Sequence, residues 1–180
     1  MLHAAGVEFK DTRFSFKEWP EIKPTTPLGT SPVLKIDGVQ HVQSISLARY
    51  AAKLAGFYPE DPVQALICDE VMESLNEMLA GIPKAGDKDA EEVKKLREEY
   101  LTKYAKLMEG FIQNNGGGAT ICSGGVTAAD ILLSGNLKMF AGGMFDHVTL
   151  AFFDAYPGIL AAAKAAEENE KVKAYYASKA

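Results

Sequence analysis

Two hydrophobic rhythms divide the chain near residue 60. Before it, apolar positions come in short bursts broken by prolines. Alternation over residues 8–16 predicts a strand, and Trp19-Pro20 followed by residues 24–29 reads as loop. Residues 33–36 (Val-Leu-Lys-Ile), Asp37-Gly38 and residues 39–42 predict a β-hairpin, because Asp-Gly supplies the positive φ that a two-residue turn needs. From Ser44 the apolar positions Ile45, Leu47, Ala48, Ala51 and Leu54 repeat at helical spacing, and Gly56 closes that helix.

Beyond a proline-flanked stretch at 58–62 almost everything is helical in pattern. Leu66, Ile67, Val71, Leu75, Met78, Leu79 and Ile82 mark one long helix that Pro83 ends. A second follows Asp87 or Asp89 as N-cap and presents Val93, Leu96, Tyr100, Leu101, Tyr104, Leu107, Met108, Phe111 and Ile112 on one face, until 114–118 (Asn-Asn-Gly-Gly-Gly) stops it. Further helices are expected from Thr127, around 150–156, and from Gly158 to the C-terminus. The predicted organisation is an α/β domain over 1–57, a linker over 58–62 and an all-α domain over 63–180.

Composition narrows the function classes. The chain has 180 residues, 47% hydrophobic and 24% charged, with a formal net charge of −5. That balance suits an ordinary globular protein and gives no basic footprint for nucleic acid. No apolar run approaches a membrane span, and the N-terminus lacks the basic and apolar regions of a secretion signal, so the cytosol is the expected compartment. Cys68, Cys122 and the three histidines have no metal-ligand spacing. No metal is expected, and the two cysteines read as free thiols in a reducing compartment.

Three local features concern a small anionic ligand. Pro32 enters the first hairpin strand, where proline is tolerated. Gln43-Ser44 stands at a helix mouth, whose unpaired N–H groups and positive dipole end favour a carboxylate; equally, Ser44 is an N-cap serving only its own helix. Trp19, the sole tryptophan, and Lys23 share a proline-rich loop, where the indole either meets a ligand or plugs an interface. In the helical half, Asp69, Glu73 and Glu77 form a stripe at i, i+4, i+8 that reads first as a solvated face. Thr127-x-x-Asp130 has the form of a capping box and reads as a folding element.

Together, Trp19-Pro20-x-x-Lys23-Pro24, Pro27-x-Gly29-x-x-Pro32-Val33-Leu34-x-x-Asp37-Gly38 and Gln43-Ser44-x-x-x-x-Arg49-Tyr50 resemble the thioredoxin-like domain of a sigma-type cytosolic glutathione transferase. Val126-Thr127-x-x-Asp130, Tyr156-Pro157 and residues 172–175 are similar to the same family's helical domain. The resemblance implies a thioredoxin-like N-terminal domain followed by an all-α helical bundle. It implies a cis peptide at Pro32 and a Ser31 backbone paired with the cysteinyl residue of glutathione. Gln43 and Ser44 would hold the γ-glutamyl carboxylate, and Trp19 and Lys23 the glycyl end. Glu77 falls where relatives carry an acid that reaches across a homodimer to the glutathione amine. Thr30 and Ser31 depart from the family pattern, where glutamine and an apolar residue are usual.

The implied activity is conjugation of the glutathione thiolate, as co-substrate, to small hydrophobic electrophiles, as in detoxification. The alternatives are a glutathione-dependent prostaglandin isomerase and a non-catalytic, crystallin-like structural or ligand-binding scaffold. Met78, Met108, Tyr104 and Phe111 are candidates to line the electrophile pocket or to form core. The family activates the thiol with a tyrosine at the end of its first strand. By resemblance, residues 2–9 match the end of the family's first helix and the start of its second strand, which places that tyrosine upstream of Met1. The domain is thus expected to lack its first strand, and no residue of the chain is assigned the catalytic role.

Overall fold

The computed structural model describes residues 1–115 and 117–178. It divides into two compact units, Met1–Gly56 and Phe57–Ala180.

In the first unit a 3-10 turn at His3–Ala5 ends on Gly6 at φ 67°. The strand predicted over 8–16 does not form. A strand persists only where a neighbour pairs with its N–H and C=O groups, and among the described residues no segment does so. Val7, Phe9 and Phe14 remain exposed, and Phe16 is 97% exposed. The proline-rich stretch is not all loop either. Helix α1 covers Trp19–Ile22 and a 3-10 turn follows at Lys23–Thr25. Pro20 and Pro24 occupy first-turn positions, where the missing N–H has no acceptor to lose and the fixed φ suits a helix.

The hairpin forms as expected, with β1 at Leu34–Ile36 and β2 at Val39–His41, antiparallel and paired Leu34 to His41, Lys35 to Gln40 and Ile36 to Val39. Asp37 and Gly38 both take positive φ, 49° and 88°, the combination that matches the twist of a two-residue hairpin. Helix α2 spans Ser44–Ala55 and is capped by Gly56 at φ 74°. Its buried residues, Ala51, Ala52 and Ala55, have small side chains.

The second unit is an α-helical bundle of α3 (Pro62–Gly81), α4 (Ala90–Asn114), α5 (Ala128–Ala141), α6 (Pro157–Glu168) and α7 (Glu170–Ala177), with a 3-10 segment at Leu150–Ala155. The predicted final helix breaks in two at Asn169, whose side chain accepts from the Lys171 N–H and caps α7. Asp61 and Asp89 cap α3 and α4 through their carboxylates. Helix α5 is the centre, packing against α3, α6 and the 3-10 segment, while α4 packs against α3 and α6. Alanines 128, 129, 162, 163 and 166 are buried on α5 and α6, which lets these two helices approach closely. Larger side chains, Met72, Leu75, Leu101, Met108, Ile112 and Phe153, fill the remaining interior.

Three polar devices tie this bundle together. Asp130 is fully buried and accepts from the Ile121 N–H, the Thr127 N–H and the Thr127 hydroxyl, each at 2.8 Å. Glu109 of α4 receives the N–H groups of Gly158 and Ile159 at the start of α6, both at 3.0 Å. Arg97 is buried and donates from Nε to the Pro83 carbonyl at 2.9 Å and from Nη1 to the Asp146 carbonyl.

Candidate functional site

The hairpin register organises the site in the first unit. The pair farthest from the turn is Leu34 with His41, so residues 31–33 and residues 42–44 both leave from that end of the hairpin. A two-residue turn at one end thereby delivers both segments to the other end, the one from which α2 departs. The Ser31–Pro32 peptide bond is cis. Ser31, Pro32, Gln43 and Ser44 are all exposed, so this end of the hairpin faces solvent.

The entry to α2 differs from the simplest expectation. Ser44 is the first helical residue rather than the N-cap, and Gln43 is the cap, without a capping bond from its side chain. The Gln43 carbonyl accepts the first helical bond, from the Leu47 N–H at 3.0 Å. The amides of residues 44–46 therefore have no carbonyl one turn back within the helix, as at every helix start. Gln43 sits at φ 76°, ψ 99°, a backbone state that costs a residue with a Cβ on the order of 1–3 kcal/mol and tends to persist at functional positions. It leaves the amide side chain uncommitted to the helix and sets the hydroxyl of Ser44 at the first turn.

Trp19 and Lys23 belong to the preceding helical turns. Trp19 is half-buried and stacks on Phe14 with ring centroids 5.3 Å apart and planes 15° from parallel. Lys23 is exposed, and its stem lies over Gly29, where a Cβ would stand 3.2 Å from Cε. Gly29 takes φ 62°, so a side chain there meets both backbone strain and the lysine. Lys23 is thus held beside the segment that leads into Ser31-Pro32.

Glu77 lies on α3 in the second unit. Its carboxylate accepts from the Tyr104 hydroxyl at 2.9 Å and its carbonyl from the Tyr100 hydroxyl at 3.3 Å, while the two hydroxyls stand 3.2 Å apart. Burial, followed by the bond to Tyr104, pushes the Tyr100 phenol up to about 12. Tyr104 is raised too, chiefly by burial. Both phenols therefore stay protonated at neutral pH and act as donors. Asp69, on the same acidic stripe, accepts from the Tyr58 hydroxyl at 2.8 Å. Part of the stripe that reads as solvated is a set of intrachain anchors.

Thr127 and Asp130 form the capping box of α5. Of the four candidates to line an electrophile pocket, Phe111 is half-buried, whereas Met78, Met108 and Tyr104 are 2%, 1% and 5% exposed. They are core. Surface grooves of about 320 and 350 Å³ do occur along α4, both lined by Glu91, Lys94, Glu98 and Phe152, and none of those three residues lines either. Among the described residues no His, Cys, Asp and Glu group is arranged to hold a metal, and no helix is long and apolar enough to cross a membrane.

Sequence reasoning missed Glu109, Arg97 and the pairing of Glu77 with Tyr104. Each joins segments 14 to 50 positions apart, beyond the reach of local periodicity.

Comparison with known proteins supplies the family. The profile for the glutathione S-transferase C-terminal domain matches residues 72–179. Glutathione S-transferase 2 of Manduca sexta is 29% identical over 97% of this chain and 86% of its own length. The prostaglandin synthase D structure from Nilaparvata lugens is 30% identical with a TM-score of 0.82, covering 99% of this chain and 89% of that one. Monomeric Na-GST-3, a glutathione S-transferase of Necator americanus, is 26% identical with a TM-score of 0.82, over 99% and 88%. The hairpin leading into α2 is accordingly part of a thioredoxin-like domain, the bundle is the all-α C-terminal domain, and the chain belongs to the glutathione S-transferase family.

Proposed function

We propose that the protein is a glutathione transferase of the sigma-like class, with glutathione seated on 1–57, a linker at 58–62, and 63–180 supplying the electrophile side. Family membership supports transferase function. The observation that favours a glutathione seat in this chain is the hairpin, from whose open end, at the Leu34–His41 pair, both the Ser31-Pro32 segment and the Gln43-Ser44 mouth of α2 depart. An extended tripeptide has complementary groups: a backbone amide for Ser31, an acidic head for the amides and hydroxyl at Ser44, and a glycyl carboxylate for Lys23 beside Trp19. Glu77 of the partner subunit would meet the glutathione amine in a homodimer. Its bond from Tyr104 holds the carboxylate in one orientation. The protein is proposed to act in the cytosol.

The chemistry is nucleophilic attack by a positioned thiolate. A free thiol near pKa 8.5 is only a few per cent ionised at neutral pH. The residues assigned here bind and orient the tripeptide, and none of them activates sulfur. Prostaglandin isomerisation is the second reading, favoured by the likeness to the Nilaparvata lugens prostaglandin synthase D.

Calorimetric titration with glutathione tests the seat. Ser44→Ala removes a hydrogen bond to a charged group, worth about 1.5–3 kcal/mol, so the dissociation constant should rise by about tenfold to a hundredfold. Lys23→Ala, at an exposed position, should weaken binding only about two- to fivefold. Wild-type protein giving no saturable heat, or both variants binding as wild type does, would remove the proposal. Turnover of an activated aryl halide against that of a prostaglandin endoperoxide then separates the two enzyme readings, and binding with neither turnover leaves a scaffold.

A further inference from the structure

Residues 7–15 form neither helix, turn nor strand, and every one of them is exposed. Backbone hydrogen bonds occur at the ends of this stretch, where the Val7 N–H reaches the Leu2 carbonyl and the Ser15 carbonyl receives the Glu18 and Trp19 N–H groups. Between those ends, Glu8, Phe9, Lys10, Thr12 and Phe14 make no backbone-to-backbone bond to any described residue. Valine, phenylalanine and threonine alternate here with charges, the make-up of a half-buried strand. What the segment lacks is a neighbour.

Its charges select that neighbour. Laid antiparallel on a second copy of itself, the segment sets Val7 opposite Phe14, Glu8 opposite Arg13, Phe9 opposite Thr12 and Lys10 opposite Asp11. In a two-fold pairing each couple occurs twice, so every charge from residue 8 to residue 13 meets its opposite. A slip of one residue sets Lys10 against Lys10 or Asp11 against Asp11, and an in-register parallel pairing sets each charge against its like. Like charges directly opposite are destabilising. Within one chain Arg13 already bonds Asp11 at 3.0 Å. Residues two apart share a face of a strand, so that pair survives while Arg13 also meets Glu8 of the second copy.

We propose that residues 7–14 are a homotypic docking strand, through which two copies of the chain pair antiparallel in this register. The contact satisfies main-chain groups that water alone now serves and covers Val7 and Phe14, both exposed in the single chain. The Phe14 ring is held in place by its stack on Trp19. A two-stranded ribbon is marginal by itself, so the association is weak, reversible and opposed by salt. It lies in the first unit, whereas the homodimer contact proposed for Glu77 lies in the second, so the test has to observe the segment itself.

Hydrogen exchange of the full chain, labelled at micromolar to millimolar concentration and read peptide by peptide, makes that observation. The amides of residues 8–14 should exchange freely in dilute protein and gain protection as concentration rises, and added salt should remove the protection. Arg13→Glu turns both of its cross-chain contacts repulsive and should raise the concentration for half-protection by about tenfold or more. Glu8→Arg should do the same. The double variant Glu8→Arg/Arg13→Glu restores opposite charges and should return to within about twofold of wild type. Both positions are exposed, so these variants keep the fold. Protection that is the same at every concentration would show the segment pairing within its own chain and would overturn the proposal. So would an unprotected segment at the highest concentration, single variants that behave as wild type, or a double variant that does not recover.

Discussion

Asp130→Ala should lower the free energy of unfolding by about 3–5 kcal/mol, the largest loss expected of any single truncation of a polar side chain in this protein. The carboxylate is fully buried and accepts three hydrogen bonds. Alanine leaves the Ile121 and Thr127 amides and the Thr127 hydroxyl without their acceptor, at about 1–3 kcal/mol for each group that water fails to reach. Asp130→Asn retains one carbonyl acceptor and should cost roughly half as much. Urea unfolding followed by circular dichroism measures both; a loss under about 1 kcal/mol for alanine would show that the box is dispensable.

The same residue has a definite pH signature. Burial raises the Asp130 carboxyl above its ordinary value of 3.8, outweighing the bonds donated by Thr127 and Ile121. The folded state therefore holds this proton more tightly than the unfolded chain, so the contribution is fully present below about pH 3.8 and declines as pH rises through the folded value. Wild type should thus exceed Asp130→Asn in stability by more at acid pH than at neutrality. The reverse trend would mean that the hydrogen bonds outweigh burial.

Glu109→Ala is expected to cost about 2–4 kcal/mol, from two charge-assisted bonds and the loss of a negative charge at the positive end of α6. Both carboxylate oxygens are engaged with backbone N–H groups, an N-cap supplied by another helix where Tyr156, the residue at the cap position, supplies none. Gly158 belongs to the same arrangement, since a Cβ there would stand 2.8 Å from each oxygen of Glu109. Gly158→Ala should displace the carboxylate and cost about 1–3 kcal/mol. In the Glu109→Ala background, Gly158→Ala should cost much less, so a double-mutant cycle reads the coupling directly. Simple additivity of the two losses would contradict the shared contact.

Much of this fold was legible in the sequence because its signals are local. The 3.6-residue rhythm marked α3 and α4, Asp37-Gly38 marked the hairpin, and Thr127-x-x-Asp130 marked the box. The failures share a cause in tertiary structure. Alternation over 8–16 describes a surface suited to pairing but says nothing of a partner. Pro20 and Pro24 read as breakers, although in a first turn proline favours the helix. Met78, Met108 and Tyr104 carry the same apolar signal whether they face a cavity or a core. The candidate site was legible as Pro32, Gln43 and Ser44. The shift of the cap from Ser44 to Gln43 was not, because it depends on a backbone angle that glutamine rarely adopts.

Arg97 has a consequence for how this sequence can change. Its guanidinium joins the loop at Pro83 to the loop at Asp146 by gripping carbonyls, groups that every amino acid provides. Both loops can therefore drift in composition without loosening the clasp. The arginine has no such licence: lysine, with a single ammonium on a flexible stem, does not reproduce a planar fork reaching two fixed oxygens.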